Sequence, residues 1–250
     1  MISIVIPVFN EAQAIGPLIS RISEVMDCCG SEYEFVVVDD GSGDESVRCI
    51  GESPYVRVLV HPQNRGTGAA RNTGVQNARG EFILMIDGDD TYAPEDIPLL
   101  LAQIGRADMV VGARSRDFGS FRLLRIAVKF ILRKIACFFA DSSIPDLNSG
   151  LRLMRKDAVL PYLHLLPPTH SWVSTITLIM LYNGYRVLFV PVQYRPRVGN
   201  STFHPVIDTG NMCKAIFNTT RIFRPGKLIV TAVVFTALLI LVSAFIRFKK

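Results

Sequence analysis

Short, β-branched apolar runs at residues 2–6, 35–38, 56–60, 82–86 and 109–111 alternate with segments of helical spacing such as 12–25 and 67–78. Few architectures accommodate that alternation. Strands buried on both faces read as continuous apolar runs, and a helix between them supplies the crossover that parallel pairing needs. The expected fold class is α/β, with a mostly parallel, Rossmann-like sheet covered on both faces. Several of these runs stop at polar clusters: Asn10-Glu11, Asp39-Asp40-Gly41-Ser42 and Asp87-Gly88-Asp89-Asp90. Ligands of open α/β sheets bind outside the carboxyl ends of the strands, so these clusters should converge on one crevice. A late strand is expected over 185–194 and a helix over 205–222.

The chain changes character near residue 112. Residues 1–111 carry 7 basic and 17 acidic groups, whereas residues 112–250 carry 20 and 5, so the net charge of +5 conceals two opposite imbalances. An acidic half suits bound cations, and a basic half suits phosphates or an anionic membrane surface; a nucleic-acid binder would more often be basic throughout. The 5 cysteines have neither zinc spacing nor the density of a disulfide scaffold, which points to a reducing compartment. The first apolar run has no basic leader and is interrupted at Pro7, so the chain is expected to start in the cytosol.

Residues 228–246 contain no charge, and at about 1.5 Å per helical residue they are long enough to cross a hydrocarbon core of about 30 Å. A single C-terminal transmembrane helix is expected there, preceded by a juxtamembrane helix over 206–227. Residues 121–140 form a candidate amphipathic helix, with Arg122, Arg125, Lys129 and Arg133 beside Phe121, Leu124, Ile131 and Phe138. An ordinary surface helix would show the same charges, but beside a membrane anchor the pattern favours a helix lying in the bilayer interface.

Asp87-Gly88-Asp89 places two carboxylates at the end of an apolar strand, with a glycine between them that admits a close neighbour. Such hard oxygen ligands suit Mg²⁺ or Mn²⁺, held by one or two carboxylates together with substrate phosphates. Asp90 reads as a cap for the helix that Pro94 begins.

The blocks "IPVFNE" (6–11), "VVVDDGSGDES" (36–46) and "NRGTGAARNTGVQNARGEFILMIDGDD" (64–90) together resemble family 2 glycosyltransferases of the GT-A fold, particularly the polyprenyl-phosphate branch that includes dolichol-phosphate mannosyltransferase. The resemblance covers residues 1–205. It implies that Pro7, Phe9 and Glu11, with Val38 and Asp40, line a pocket for the base and ribose of a nucleotide-sugar. Phe9 has a face for stacking, and the carboxylates can accept from base N–H groups or ribose hydroxyls. By the same likeness Asp87 and Asp89, flanking Gly88, hold the metal on the diphosphate. The family often has Gln two residues after the second Asp, where this chain has Thr91.

Arg114 matches the family's phosphate-facing arginine, a role suited to a fixed charge with a bidentate fork. "DLNSGLR" (146–152) resembles a block that places Asp146, with Arg152 nearby, beside the reacting sugar. The segment from Arg195 to Thr202 resembles one that closes over the site, and Arg197 and Ser201 carry over from it; Thr202 stands where the family has Lys. Asp89, Arg114, Asp146 and Arg197 are thus the candidate catalytic residues.

The implied reaction is inverting, metal-dependent transfer of a sugar from a GDP- or UDP-sugar to a dolichyl or undecaprenyl phosphate. Nucleotide-sugars are usually cytosolic, so the catalytic domain of a single-pass protein should face the cytoplasm. Two other readings fit the same fold: a transferase acting on a glycan or lipopolysaccharide hydroxyl, and a membrane-tethered scaffold without catalysis.

Overall fold

The structure is a computed structural model that describes residues 1–51, 54–114, 122–197, 205–233 and 236. In chain order its elements are β1 (Ile2–Val8), α1 (Ile15–Cys29), β2 (Tyr33–Asp39), α2 (Ser46–Cys49), β3 (Val56–Val60), α3 (Thr67–Asn77), β4 (Phe82–Met85), α4 (Ile97–Leu101), β5 (Met109–Arg114), α5 (Arg122–Ala140), β6 (Arg152–Arg155), α6 (Lys156–Val159), α7 (Trp172–Tyr182), β7 (Val187–Val192) and α8 (Pro205–Phe223). The strands form one 7-stranded sheet in the order β3-β2-β1-β4-β6-β5-β7. Pairing is parallel except at β6, which runs antiparallel between β4 and β5, with Ile83 opposite Met154 and Val110 opposite Leu153.

Every residue of β1 is buried because helices cover both faces of the sheet. Alternate residues separate the two cores. Ile4, Ile6 and Val8 pack with Phe35, Val37 and the Leu18 and Ile22 stripe of α1, which ends at Gly30 in the left-handed conformation (φ 64°). Val5, Val36 and Val38 face α3 and α7, packing with Ala70, Val75, Trp172 and Ile176. Small residues let α3 lie close to the sheet: a Cβ on Gly74 would come within 2.3 Å of Val5 Cγ1.

Almost all of α7 is buried, because the sheet covers one side while α5 and α8 cover the other through Leu132, Ala136, Leu178, Tyr182, Met212 and Ile216. The outer side of α5 leaves Phe130, Ile131, Ile135 and Phe138 exposed. Lys227 ties the following helical stretch to the end of α5 through Asp141 Oδ1 and the Phe138 carbonyl. The span expected over 228–246 lies mostly outside the described residues; among the described residues no helix is long and apolar enough to cross a membrane.

The sheet reverses its strand order around β1, with β2 and β3 on one side and β4 on the other. That reversal opens the crevice toward which the tips of β1, β2 and β4 point.

Candidate active site

Side chains of the turn after β2 lace its tip to that of β1. Asn10, at φ 57°, donates its N–H to Ser42 Oγ (2.9 Å) and accepts from the Gly43 N–H (2.8 Å), and the Glu11 N–H donates to Ser46 Oγ (2.8 Å). Pro7 and Val38 are buried in their strands, and Phe9 is half-buried at the rim. Asp39 accepts from the Ser42 N–H, while its Oδ1 is buried with no partner among the described residues. Asp40, also buried, shapes the neighbouring loop: it pairs with His61 Nδ1 (2.6 Å) and accepts from the N–H groups of Arg65 (3.0 Å) and Gly66 (2.7 Å).

The β4 tip carries the two carboxylates of the metal motif. Asp87 is paired with Arg71 Nη2 at 2.7 Å and lies against Gly150, where a Cβ would meet Asp87 Oδ2 at 2.1 Å. The close neighbour that Gly88 admits is the β1 backbone, since a Cβ there would lie 3.0 Å from the Pro7 carbonyl. Asp89 accepts from the Thr91 hydroxyl (2.6 Å) and N–H (3.2 Å), so Thr91 spends its hydroxyl on the carboxylate beside it. Burial pushes the Asp89 carboxyl up, and the neighbouring Asp87 charge pushes it further. Asp90 does not cap the helix at Pro94, which has no side-chain cap. Both Asp90 oxygens instead receive Arg21 Nη1 at 2.8 Å, fastening the motif to α1 through a charge-assisted pair.

The chain beyond β7 returns to this loop. Tyr194 pairs with Tyr92 in an isolated antiparallel bridge, and the Arg195 N–H donates to the Thr91 carbonyl (2.8 Å). Arg197 is thereby delivered between two acids, contacting Glu11 Oε1 and lying 3.3 Å from Asp89 Oδ2. Burial raises the Glu11 carboxyl to about 7 even though Arg197 pulls it down. Ser201 and Thr202 lie outside the described residues.

Arg114, at the end of β5, grips Asp146 in a two-pronged pair, Nε to Oδ2 at 2.6 Å and Nη2 to Oδ1 at 2.8 Å. Burial alone would raise the Asp146 carboxyl, but Arg114 holds it below the usual carboxylate range. The Arg114 guanidinium stacks 5.1 Å above the Tyr194 ring. Tyr194 lies within electrostatic reach of Arg114, Asp89 and Asp87, so both groups of site residues share one crevice.

Arg152, expected beside the sugar, is instead fully buried behind the site. It donates to the carbonyls of Ser149 (3.2 Å) and Val173 (3.0 Å) and to Thr177 Oγ1 (3.2 Å), pinning the 146–150 turn to α7. Burial, reinforced by Arg71, pushes its guanidinium down to about 10. Sequence reasoning missed Arg71 and His170. The signal for Arg71 was a cation on the buried face of a helix otherwise made of Gly68, Ala70, Gly74 and Val75. His170, beside the start of α7, is held below its ordinary value by burial and then by Arg71.

The donor set fits a hard divalent cation completed by a ligand. Among the described residues no group of three or more His, Cys, Asp or Glu could hold a metal ion by itself. The two carboxylates Asp87 and Asp89 suit Mg²⁺ or Mn²⁺ shared with phosphate oxygens. The Arg197 guanidinium between Asp89 and Glu11 shows that the crevice accepts positive charge at that place.

The family described as glycosyl transferase family 2 matches residues 3–162, more than half of the chain. A dodecaprenyl-phosphate galacturonate synthase of Rhizobium johnstonii is 36% identical over 187 residues, covering 70% of this chain and 54% of that protein; this chain thus spans about half the length of that curated relative. Crystal structures of glucosyl-3-phosphoglycerate synthase from Mycobacterium tuberculosis share the fold. The complex with phosphoglyceric acid gives a TM-score of 0.68 at 18% identity, over 88% of this chain and 79% of that one. The complex with Mn²⁺, UDP and phosphoglyceric acid also gives 0.68, at 19% identity, over 88% and 77%.

Proposed function

This chain belongs to glycosyl transferase family 2, and from that premise we propose that it is a glycosyltransferase that transfers a sugar from a nucleoside-diphosphate sugar to the phosphate of a polyprenyl lipid. One observation carries the donor half: Glu11, Asp87 and Asp89 gather at the strand tips, with the Arg197 guanidinium lying between Asp89 and Glu11. The acceptor half is supported by the Rhizobium relative, a dodecaprenyl-phosphate galacturonate synthase, and by the exposed apolar side of α5.

In this reading Pro7, Phe9, Glu11, Val38 and Asp40 surround the base and ribose, with Asp40 acting partly through the loop that it ties to β2. Asp87 and Asp89 would hold Mg²⁺ or Mn²⁺, which when bound supplies electrostatic stabilisation of the departing diphosphate. Arg197 leaves its carboxylates for the donor phosphates, and Ser201 follows on the same segment. Arg114 offers its charge to the diphosphate from the other side, oriented by Asp146.

An oxygen of the lipid phosphate attacks the anomeric carbon. The new C–O bond forms as the bond to the diphosphate breaks, the leaving group takes the electron pair, and the configuration inverts. A phosphate acceptor is already anionic near neutral pH and needs no base. A hydroxyl acceptor would need one, and His170, held below its ordinary value by burial and within electrostatic reach of Asp87 and Arg197, is the group that second reading would call on.

The membrane arrangement extends the proposal. Residues 1–205 form the catalytic domain, 206–227 the juxtamembrane helix and 228–246 the anchor. The outer side of α5, where Lys134 lies 5.4 Å from the Phe130 ring and Phe138 stays exposed, rests in the cytoplasmic bilayer interface. The test is to supply the full chain, in vesicles containing undecaprenyl phosphate, with labelled UDP- and GDP-sugars and Mn²⁺. Label in a lipid-linked sugar phosphate, absent in Asp89→Ala, is the expected result. Label found only on glycan hydroxyls would move the assignment to the second reading.

A further inference from the structure

We propose that Arg71 is a positioning residue for the donor site, a fixed cation that holds the Asp87 carboxylate where it and Asp89 can share a divalent ion. The inference rests on reading the crevice as the donor site. It goes further by giving a role to a residue outside the strand tips.

Arg71 is only 4% exposed, on the face of α3 that packs against the sheet. Packing alone does not explain a guanidinium there, since an apolar side chain would fill the space without the cost of stripping water from a charge. Its single ion-pair partner among the described residues is Asp87, reached through Nη2 at 2.7 Å. Its Nε and Nη1 are buried and have no hydrogen-bond partner among the described residues. The charge is therefore retained for Asp87, and at the expense of two unsatisfied donors.

The surroundings remove freedom from both members of the pair. The Trp172 ring lies 6.0 Å from the Arg71 guanidinium carbon, and Trp172 is itself fixed by an indole hydrogen bond to Asn72 Oδ1 (2.7 Å), the next residue of α3. On the other side, Asp87 rests against Gly150, whose missing side chain is the space the carboxylate fills. Asp87 is thus clamped between a fixed cation and a bare backbone.

The two arginines at the carboxylates differ in kind. Arg197 reaches Glu11 and Asp89 from the chain beyond β7, whereas Arg71 is anchored in a core helix. It offsets part of the repulsion between Asp87 and Asp89 in every state of the site.

The test measures Mn²⁺ uptake by electron paramagnetic resonance, in the presence of UDP and, separately, GDP, with the full chain in detergent. Arg71→Gln should weaken Mn²⁺ binding by about tenfold, Arg71→Lys should recover part of the loss, and on an Asp87→Asn background Arg71→Gln should change binding by less than about twofold. Thermal melts show whether each variant is folded, and Arg71→Lys carries the test if Arg71→Gln is not. Unchanged Mn²⁺ affinity in a folded Arg71 variant, or an undiminished effect on the Asp87→Asn background, would overturn the assignment while leaving the donor site standing. A wild-type chain that takes up no Mn²⁺ with either nucleotide would remove both.

Discussion

Gly150→Ala adds one methyl group at the point where the turn after Asp146 touches the metal motif. The new Cβ would lie 2.1 Å from Asp87 Oδ2, 2.5 Å from Cγ and 2.7 Å from Oδ1, so the whole carboxylate is in the way. Comfortable contact begins at about 3.5 Å, and the carboxylate must therefore retreat by about 1 Å or the turn must move as far. Gly150 is not among the positive-φ glycines, so alanine meets no backbone penalty and the effect is contact alone. Overpacking of this kind costs about 1–3 kcal/mol of stability. A displacement of about 1 Å in a group that orients the reacting atoms lowers turnover by about 100-fold. Steady-state sugar transfer and a thermal melt separate the two effects. Gly210→Ala is the control, because nothing lies within 4 Å of its added Cβ on α8. A folded Gly150→Ala enzyme with turnover within about threefold of wild type would refute the placement of Asp87 in the donor site.

Burial pushes the Glu11 carboxyl up to about 7 from its ordinary 4.5, so the folded state binds more protons across that window and loses stability as the pH rises through it. Glu11→Gln should flatten this part of the stability-versus-pH curve; curves for the two proteins that stay parallel from pH 4.5 to 7 would show that Glu11 titrates normally. Arg114→Lys keeps the charge but loses the two-pronged grip on Asp146, and it should lower turnover by about 100-fold or more in the same transfer assay, whereas near-normal turnover would mean that a point charge suffices.

What the sequence made legible follows from burial. Strands in a two-sided parallel sheet must be apolar throughout, so the runs ending at Glu11, Asp39 and Asp87 announced both the sheet and the acids at its tips. Arg152 interrupts the apolar pattern of β6, so this strand does not stand out among the apolar runs as the others do. That arginine becomes a core residue only through Val173 and Thr177, which arrive from a helix 21 and 25 residues later. Asp90 shows the same limit: a cap is a local expectation, and Arg21 stands 69 residues away. The motif around Asp40 was visible, but nothing local reveals that its oxygens accept from backbone N–H groups of a loop 25 and 26 residues on. Arg71 was the one long-range partner with a readable trace, a charge where helical spacing demands a small or apolar residue.

A crystal structure of the full chain with Mn²⁺ and a nucleoside diphosphate would put the donor site itself to the proof. Density for the metal against Asp87 and Asp89, a diphosphate beside Arg114, and Arg197 moved off Glu11 is the predicted result. A nucleotide seated elsewhere, with Arg197 still between Glu11 and Asp89, would contradict it.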